Sequence, residues 1–305
     1  MKQRARLPLI SVQLCTYNRR ALLAKVIQAL FEQQLNCDLF EIILVDDGSD
    51  DGSYEDVIRR LSPPCALHVV RQRNAGLARG RNVGIARARA PIILFMDDDV
   101  LATPTLLDAH LRFHASHRRT ICRGAAINVA SLDALPQARY SLRQYSGAYF
   151  WTTNVSVSRA LLDEAGGFDE RFREYGWEDL ELGFRLRRLG VKSILAKDAI
   201  VYHYKPAARG REPAALTRQA RAQARTAALF NAKHRHWRVA LATGRLALPM
   251  WWSAVVRRAG WIRWLERVAG DGGATGAGQT RVLRRWAASR LARAAYYDEL
   301  ARCAR

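Results

Sequence analysis

The chain has few cysteines, and their arrangement suggests neither a zinc knuckle nor a disulfide framework. Five cysteines are spread over 305 residues without any C-x-x-C pair, which is typical of proteins in a reducing compartment and favours the cytoplasm. The glycine-rich patterns G-x-G-x-x-G and G-x-x-x-x-G-K-S/T are absent as well. These absences disfavour dinucleotide-binding and P-loop chemistry.

Long apolar runs are also missing. The longest charge-free apolar stretch near the C-terminus, LALPMWWSAVV, covers residues 246–256, about half of the roughly 20 residues that a membrane-spanning helix needs. The N-terminal MKQRARLPLISVQLC has basic residues before apolar ones, but no small-residue cleavage site follows. We interpret it as the start of a strand rather than a signal peptide, and no membrane-spanning segment is predicted.

Acidic residues are scarce in the last third of the chain. Residues 204–305 contain 21 Lys or Arg against 5 Asp or Glu, and they hold six of the eight Trp. We therefore predict a first domain at 1–205 and a basic helical extension at 206–305. Arginines interleaved with tryptophans suit peripheral contact with an anionic membrane, at its cytoplasmic face. Packing of the extension against the first domain is the alternative.

Short apolar runs alternate with segments of helical periodicity from residue 9 onward. Strands are predicted at 9–15, 40–47, 66–72, 90–99, 120–129, 147–158 and 191–205, and helices at 19–35, 51–62, 76–89, 103–117, 177–190 and 281–300. Unbroken apolar strands separated by helices are typical of a parallel sheet covered on both faces. The predicted fold class is α/β, with a mostly parallel sheet and a glycine-rich linker, 270–279, before the last helix.

Polar clusters follow each of the first four strands, with the sequences CTYNRR, VDDGSDD, RNAG and MDDDV. In parallel sheets, ligands bind outside the carboxyl ends of the strands, so these clusters are expected to face one crevice. In the last cluster, Asp97 and Asp99 flank one residue and can both reach a hard cation, Mg²⁺ or Mn²⁺, whose other ligands would be phosphates and water. A turn or helix-capping acidic cluster is the alternative.

Two later segments carry candidate functional side chains. Glu178 and Asp179 begin a predicted helix, where carboxylates either stabilise the helix dipole or include a general base. Trp177, directly before them, either stacks on a sugar or belongs to a core. His203 ends an apolar strand, where a lone histidine is more often structural than a ligand.

The order of CTYNR, VDDGSDDGS, RNAGLARGRNVGI, FMDDDV, GGFDERF and WEDLELGFRLRRLG resembles the family 2 glycosyltransferases over roughly residues 8–205. These are inverting enzymes of the Rossmann-like GT-A fold that use nucleotide-sugar donors. The resemblance implies transfer of a sugar, with a UDP-sugar as the expected donor, to a hydroxyl of a saccharide or lipid-linked acceptor in glycan or cell-envelope polysaccharide synthesis.

The resemblance also implies a nucleotide pocket. Tyr17 would stack on the base, and Thr16 and Asn18 would shape the pocket around it. Asp47 would accept a hydrogen bond from the uracil, while Asp46 would support the loop.

Four further residues would complete the donor site. Asn74 and Arg81 would lie near the nucleotide or its diphosphate. Asp97 would face the ribose, and Asp98 is included in the same nucleotide site. Positive charge from Arg81 would favour the departing diphosphate in the transition state.

The resemblance assigns the metal and the chemistry as well. Asp99 and His203 would hold Mn²⁺ or Mg²⁺, which reverses the structural interpretation of His203. Asp179, second residue of the pair begun by Glu178, would be the catalytic base. Trp177 and Asn154 would face the sugar or the acceptor.

Processive members of the family carry Q-x-x-R-W, whereas the nearest segment here, VLRRW at Val282–Trp286, has Val in place of Gln. A non-processive enzyme that transfers one or a few sugars is therefore expected. Two other classes are weighed against it. A nucleic-acid-binding protein would explain the arginines but not the polar clusters at the strand ends, and no nucleic-acid partner is predicted. A catalytically inactive membrane-associated protein of this fold is the remaining alternative.

Overall fold

The structure, a computed structural model, describes residues 7–144, 146–206, 212–245, 261–270 and 278–303. The chain divides into two compact units. One unit comprises Met1–Arg173 and Glu178–Ala207, and the other comprises Glu174–Trp177 and Ala208–Arg305. No feature of composition indicated that the four residues before Glu178 belong with the C-terminal helices.

The first unit contains an eight-stranded sheet with the strand order β3-β2-β1-β4-β7-β6-β8-β5. Its strands are β1 Ile10–Thr16, β2 Phe40–Asp46, β3 Ala66–Arg71, β4 Ile92–Asp97, β5 Val100–Ala102, β6 Thr120–Val129, β7 Asn154–Ser158 and β8 Lys192–Tyr204. The pairings among β1, β2, β3 and β4 are all parallel. Strand β7 runs antiparallel to β4 and β6, β8 is parallel to β6, and β5 is antiparallel to β8. The predicted α/β class is confirmed, and the sheet becomes mixed beyond β4.

The helices of the first unit are α1 Arg20–Phe31, α2 Leu77–Arg87, α3 Leu106–Ser116, α4 Arg159–Ala165 and α5 Glu178–Arg188. The helix predicted at 51–62 is replaced by a π-helical turn, Ser53–Val57, and a 3₁₀ turn, Ile58–Arg60. Leu61 is extended after the second turn. Pro63 and Pro64 follow, and a regular helix could not continue through them because proline lacks the N–H donor and restricts the residue before it.

The core lies on both faces of the sheet. Side chains that alternate along a strand point to opposite faces, and β4 follows this rule: Leu94 and Met96 join one apolar cluster, while Ile93 and Phe95 join the other. Buried side chains of α1 and α3 belong to the first cluster, and those of α2 and α5 to the second. Helices therefore cover both faces, as the unbroken apolar strands predicted.

The parallel strands place their carboxyl ends at one edge of the sheet, as predicted. Register pairs Thr16 with Asp46 and Cys15 with Asp97, so that β1, β2 and β4 end side by side. Strand β5 pairs antiparallel with β8, and Val100, directly after Asp99, lies opposite His203. The Tyr204 N–H donates to the Asp99 carbonyl oxygen (2.9 Å). The sheet itself therefore brings the end of β8 back to the end of β4.

The second unit contains α6 Pro213–Lys233, α7 Trp237–Ala242, α8 Trp261–Gly270 and α9 Gly278–Cys303. Helix α9 packs against α6 and α8. Within the described ranges, no helix is both long enough and apolar enough to cross a bilayer. The apolar stretch 246–256 and most of the predicted linker, residues 271–277, lie outside the described residues.

Candidate functional site

The three carboxylates at the end of β4 have different partners. Asp97 receives a hydrogen bond from Thr153 Oγ1 (2.7 Å) on Oδ2 and lies 3.4 Å from Arg81 Nη2 through Oδ1. Asp98 is buried, with Oδ1 3.2 Å from Arg19 Nε. Burial raises the pKa of Asp98 to about 6, although the charge of Arg19 opposes this shift.

Asp99 and His203 form a pair at the end of β8. His203 Nε2 lies 3.4 Å from Asp99 Oδ1. Burial alone would raise the pKa of Asp99, but the hydrogen bond with His203 and the positive charge of Arg19 outweigh it and lower this pKa. The ring of His203 is buried, and its Nδ1 has no hydrogen-bond partner among the described residues. Buried polar atoms usually have a partner, so this nitrogen is an unexplained donor or acceptor.

The pair fits a divalent cation only in part. Across the described residues, no group of three or more His, Cys, Asp or Glu side chains has the arrangement of a complete metal site. Mg²⁺ and related cations are commonly bound by one or two protein carboxylates together with substrate phosphates. Asp99 and His203 supply one oxygen and one nitrogen ligand, so the remaining ligands would have to come from a phosphate-bearing substrate and water.

Arg81 of α2 lies at the centre of a buried polar network. Its Nη1 donates to Glu178 Oε1 (2.6 Å), and its Nη2 donates to Thr152 Oγ1 (2.7 Å). Burial would lower the pKa of Arg81, but the charges of Glu178 and Asp97 outweigh it and raise this pKa above its usual range. The guanidinium predicted to lie near a nucleotide is thus engaged by protein groups from β4, α5 and the segment before β7.

Thr152 and Thr153 were missed by the sequence analysis. They precede β7, and because β7 runs antiparallel beside β4, the start of β7 lies at the carboxyl end of β4. Trp151, next to them, has its ring centroid 6.0 Å from that of His203. Only the antiparallel pairing places these residues at the site, and no local pattern in YFWTTN indicates it.

Glu178 and Asp179 begin α5 and face different surroundings. Glu178 is buried against Arg81, and its Oε2 has no partner among the described residues. Asp179 Oδ1 accepts the Leu180 N–H (2.7 Å). Burial, and next the negative charge of Glu178, raise the pKa of Asp179 to about 7, although Arg81 opposes the shift. A carboxylate with this pKa can accept a proton near neutral pH.

The loop after β2 is held by its two aspartates. Asp46 is buried, accepts the Ser49 N–H (3.0 Å) on Oδ1 and lies 3.3 Å from Arg71 Nε through Oδ2. Asp47 Oδ1 accepts from the Gln72 side chain (2.7 Å) and the Ala75 N–H (2.9 Å).

The other oxygen of Asp47, Oδ2, accepts the Gly76 N–H (2.9 Å). Both oxygens of Asp47 therefore already accept hydrogen bonds that order the loop after β3. A hydrogen bond from a nucleotide base to Asp47 would be added to these. Gly76 has φ +89°, a conformation that glycine adopts without strain.

The residues after β1 line the same edge. Asn18, with φ +54°, donates its N–H to Ser49 Oγ (3.0 Å) and accepts the Asp50 N–H (3.0 Å) on its side chain. Thr16 is buried, whereas Tyr17 is 47% exposed. Asn74 is exposed in the loop after β3. An exposed tyrosine ring at the rim of the crevice is free to stack on a planar ligand.

The side chains of two predicted residues have other partners. The Asn154 carboxamide is buried, and it bonds His110 Nε2 (2.9 Å) and the carbonyl oxygens of Ala125 (3.2 Å) and Ala199 (3.0 Å) inside the sheet. Trp177 belongs to the second unit, where its indole N–H donates to the Gln223 carbonyl oxygen (3.0 Å). The sugar or acceptor contact predicted for each stays a prediction.

Comparison with known proteins gives two kinds of match. Residues 11–161 match the family model of Glycosyl transferase family 2. Validoxylamine A glucosyltransferase of Streptomyces hygroscopicus subsp. jinggangensis is 28% identical over 230 residues, covering 63% of this chain and 54% of that protein. The chain spans about half the length of the first two curated relatives, 54% and 51%.

Solved structures match a larger part of the chain. S. aureus TarS 1-349 in complex with UDP-GlcNAc has a TM-score of 0.60 at 18% identity, covering 95% of this chain and 89% of that one. The mannosyltransferase PcManGT from Pyrobaculum calidifontis, in complex with GDP-Man and Mn²⁺, has a TM-score of 0.60 at 22% identity, covering 97% and 86%. At these identities the likeness concerns the fold, and it confirms the predicted GT-A fold.

The buried network around Arg81 generates a stability prediction. In Arg81→Met, the Glu178 carboxylate remains buried without its guanidinium partner, and breaking a buried pair in this way costs about 3–5 kcal/mol. We expect the unfolding free energy from urea denaturation to fall by about that amount. The double variant Arg81→Met with Glu178→Met is expected to recover much of the loss, because apolar replacements of buried pairs are often neutral.

Arg79→Met is the matched control on the same helix. Arg79 is 57% exposed and lies 3.7 Å from Glu170, and exposed pairs contribute at most about 1 kcal/mol. Equal losses in Arg79→Met and Arg81→Met would contradict a special role for the buried network.

Proposed function

Because the chain belongs to the family 2 glycosyltransferases, we propose that it transfers a sugar from a nucleotide-sugar to an acceptor hydroxyl with inversion at the anomeric carbon. The observation that carries the proposal is that the end of β4 holds the Asp99–His203 pair and is linked from Asp97 through Arg81 to the start of α5. There Asp179 has its pKa raised to about 7. The Asp99–His203 pair can hold a cation for a departing diphosphate, and Asp179 can accept the proton of an attacking hydroxyl.

The donor is proposed to bind over the ends of β1 and β2. The exposed ring of Tyr17 would stack on the base, and the loop ordered by Asp47 would frame it. A UDP-sugar is the expected donor, and the UDP-GlcNAc complex of TarS supports it. PcManGT, solved with GDP-Man, has the same fold. Nucleotide-binding measurements therefore have to decide which base the donor carries.

The proposal includes metal dependence. Asp99 and His203 would hold Mn²⁺ or Mg²⁺, and a bound divalent ion supplies positive charge for the phosphates that leave. Arg81 acts in this proposal as a positioning residue, because its donors already hold Glu178 and Thr152. Asp97, fixed by Thr153, would face the ribose.

Asp179 is proposed as the general base. It takes the proton of the acceptor hydroxyl as that oxygen attacks the anomeric carbon from the face opposite the leaving group. The bond to the diphosphate breaks as the new glycosidic bond forms, so the configuration inverts and no covalent intermediate is needed. A base with a pKa near the working pH is well matched to this step.

The finer assignments are a non-processive transfer and a saccharide or lipid-linked acceptor. The VLRRW segment supports the first, since it lacks the glutamine of the processive pattern and lies in α9 of the second unit.

Calorimetric titration with UDP, GDP and dTDP, each with and without Mn²⁺, tests the donor site. We expect UDP to bind with Mn²⁺ present, and we expect Asp99→Ala to weaken this binding by at least about 10-fold, because a metal ligand is lost. Asp163→Ala is the control, since it removes an exposed carboxylate of α4. Absence of binding by all three nucleotides would falsify the proposed function.

The pH dependence of kcat/KM tests the base. Since the ionised form of Asp179 accepts the proton, kcat/KM should fall about tenfold per pH unit below about 7 and level off above it. Asp179→Asn should lower kcat by about 10²- to 10⁴-fold while UDP binding is retained. A loss of activity confined to Glu178→Gln would instead assign the base to the neighbouring carboxylate.

We also propose peripheral contact with an anionic membrane, through the second unit. Trp261, Trp264 and Trp286 are 56%, 45% and 41% exposed. Their rings touch in sequence, with centroids 6.4 Å apart between Trp261 and Trp264 and 6.2 Å apart between Trp264 and Trp286. Arg290 lies 5.4 Å over the Trp286 ring. Aromatic rings beside arginines suit the headgroup region of anionic lipid.

Vesicle co-sedimentation tests this contact. We expect binding to vesicles that contain phosphatidylglycerol and little binding to pure phosphatidylcholine, with at least about 10-fold weaker binding for Trp264→Ala, because a large apolar side chain is no longer buried in the lipid. Trp237→Ala is the control, since Trp237 is 63% exposed in the same unit but outside this cluster. Equal binding by both variants and the wild type would contradict the contact.

A further inference from the structure

Arg19 reaches from the start of α1 to the carboxylates after β4. Its Nε lies 3.2 Å from Asp98 Oδ1, and its Nη2 lies 3.8 Å from Asp99 Oδ2. Its own backbone is fixed, since the Arg19 N–H donates to Ser53 Oγ (3.2 Å). The side chain is 43% exposed. Because the backbone is held and the side chain is partly exposed, the guanidinium can change partners by rotation of the side chain alone.

Arg19 supplies positive charge where a divalent ion would also act. Adjacent carboxylates repel one another unless cations lie between them. Asp97 has Arg81 as its partner, whereas the nearby cations for Asp99 are Arg19 and, when protonated, His203. The guanidinium and a metal ion would therefore compete for the same Asp99 carboxylate.

Open space lies beside Arg19. A cavity of about 740 Å³ is lined by Arg19 together with Asn18, Arg20, Asp51, Asp56 and Arg60, among other residues. A nucleoside diphosphate bound at the same edge would offer Arg19 new anionic partners, and charge-assisted bonds to phosphate are among the stronger ones available to arginine.

We propose that Arg19 is a positioning residue. In the absence of metal its guanidinium pairs with Asp99, and when the donor binds the guanidinium turns to pair with the donor diphosphate. This inference rests on the proposed function, because it names the residue that couples the cation and the diphosphate at that site. Its consequence is that each ligand favours the other: the diphosphate removes the competitor of the metal, and the metal frees the guanidinium for the diphosphate. Such coupling is reciprocal by thermodynamic necessity.

The test measures Mn²⁺ binding, by the electron paramagnetic resonance signal of free Mn²⁺, without and with UDP. In Arg19→Gln, Mn²⁺ alone should bind about 3- to 10-fold more tightly than in the wild type, since the competing charge is gone. The factor by which UDP tightens Mn²⁺ binding should become smaller in this variant. Arg19→Lys keeps the charge and should stay close to the wild type in both measurements.

Arg20→Gln is the matched control, because it removes the same charge one residue away. Arg20 Nη2 pairs with Asp56 Oδ2 (2.7 Å), and we expect wild-type Mn²⁺ binding. Equal Mn²⁺ affinity in the wild type and Arg19→Gln, with UDP and Mn²⁺ both bound, overturns this inference alone. A wild type that binds no Mn²⁺ and none of UDP, GDP and dTDP overturns the proposed function and this inference with it.

Discussion

Negative charge gathered at one edge of a parallel sheet is the constraint on which the rest of the first unit depends. Two aspartates lie at the end of β2, three lie at the end of β4, and two carboxylates begin α5 close to them. Such a group is stable only if each carboxylate finds a cation, a donor or a proton. The structure supplies arginines and hydrogen-bond donors to these carboxylates, and the raised pKa of Asp98 and of Asp179 makes a proton easier to hold there.

Each arginine reaches its carboxylate by a different structural route. Arg81 arrives on α2, which approaches β1 closely because its glycines leave room: a Cβ at Gly80 would lie 2.8 Å from Cys15 Sγ, and a Cβ at Gly84 would overlap the Gln13 side chain. Arg71 is the last residue of β3 and lies beside Asp46 through the parallel register. The packing of α2 is thus a condition for the electrostatics of the site.

The sequence pattern predicts the part of this arrangement that follows from parallel strands. Apolar runs ending in polar clusters are enough to place Asp46, Asp47 and Asp97–Asp99 at one edge, because parallel neighbours end together. The sequence pattern alone does not place His203 at this edge, because it is the pairing of β5 with β8 that brings His203 to Asp99.

The remaining contacts depend on distances in space that no local pattern encodes. Thr152 and Thr153 reach the site because β7 turns antiparallel beside β4. The sequence leaves Trp177 either stacking on a sugar or belonging to a core, and only the structure shows its indole N–H bonded to Gln223 within the second unit. Arg19 directly follows Tyr17 and Asn18, which are predicted to contact the nucleotide. Its own side chain instead contacts the turn after β4.

The pair at the start of α5 shows how one cation can give two adjacent carboxylates different tasks. Arg81 bonds Glu178 directly, while Asp179 receives no bond from that guanidinium and accepts only the N–H of Leu180 among its described hydrogen bonds. Burial and the neighbouring negative charge then act on Asp179 in the same direction and raise its pKa to about 7. The ion pair with Arg81 makes Glu178 a structural carboxylate, whereas the raised pKa of Asp179 suits a proton acceptor. Arg81 therefore holds Glu178 by a direct bond, while its charge acts on Asp179 only at a distance and limits the rise of the Asp179 pKa.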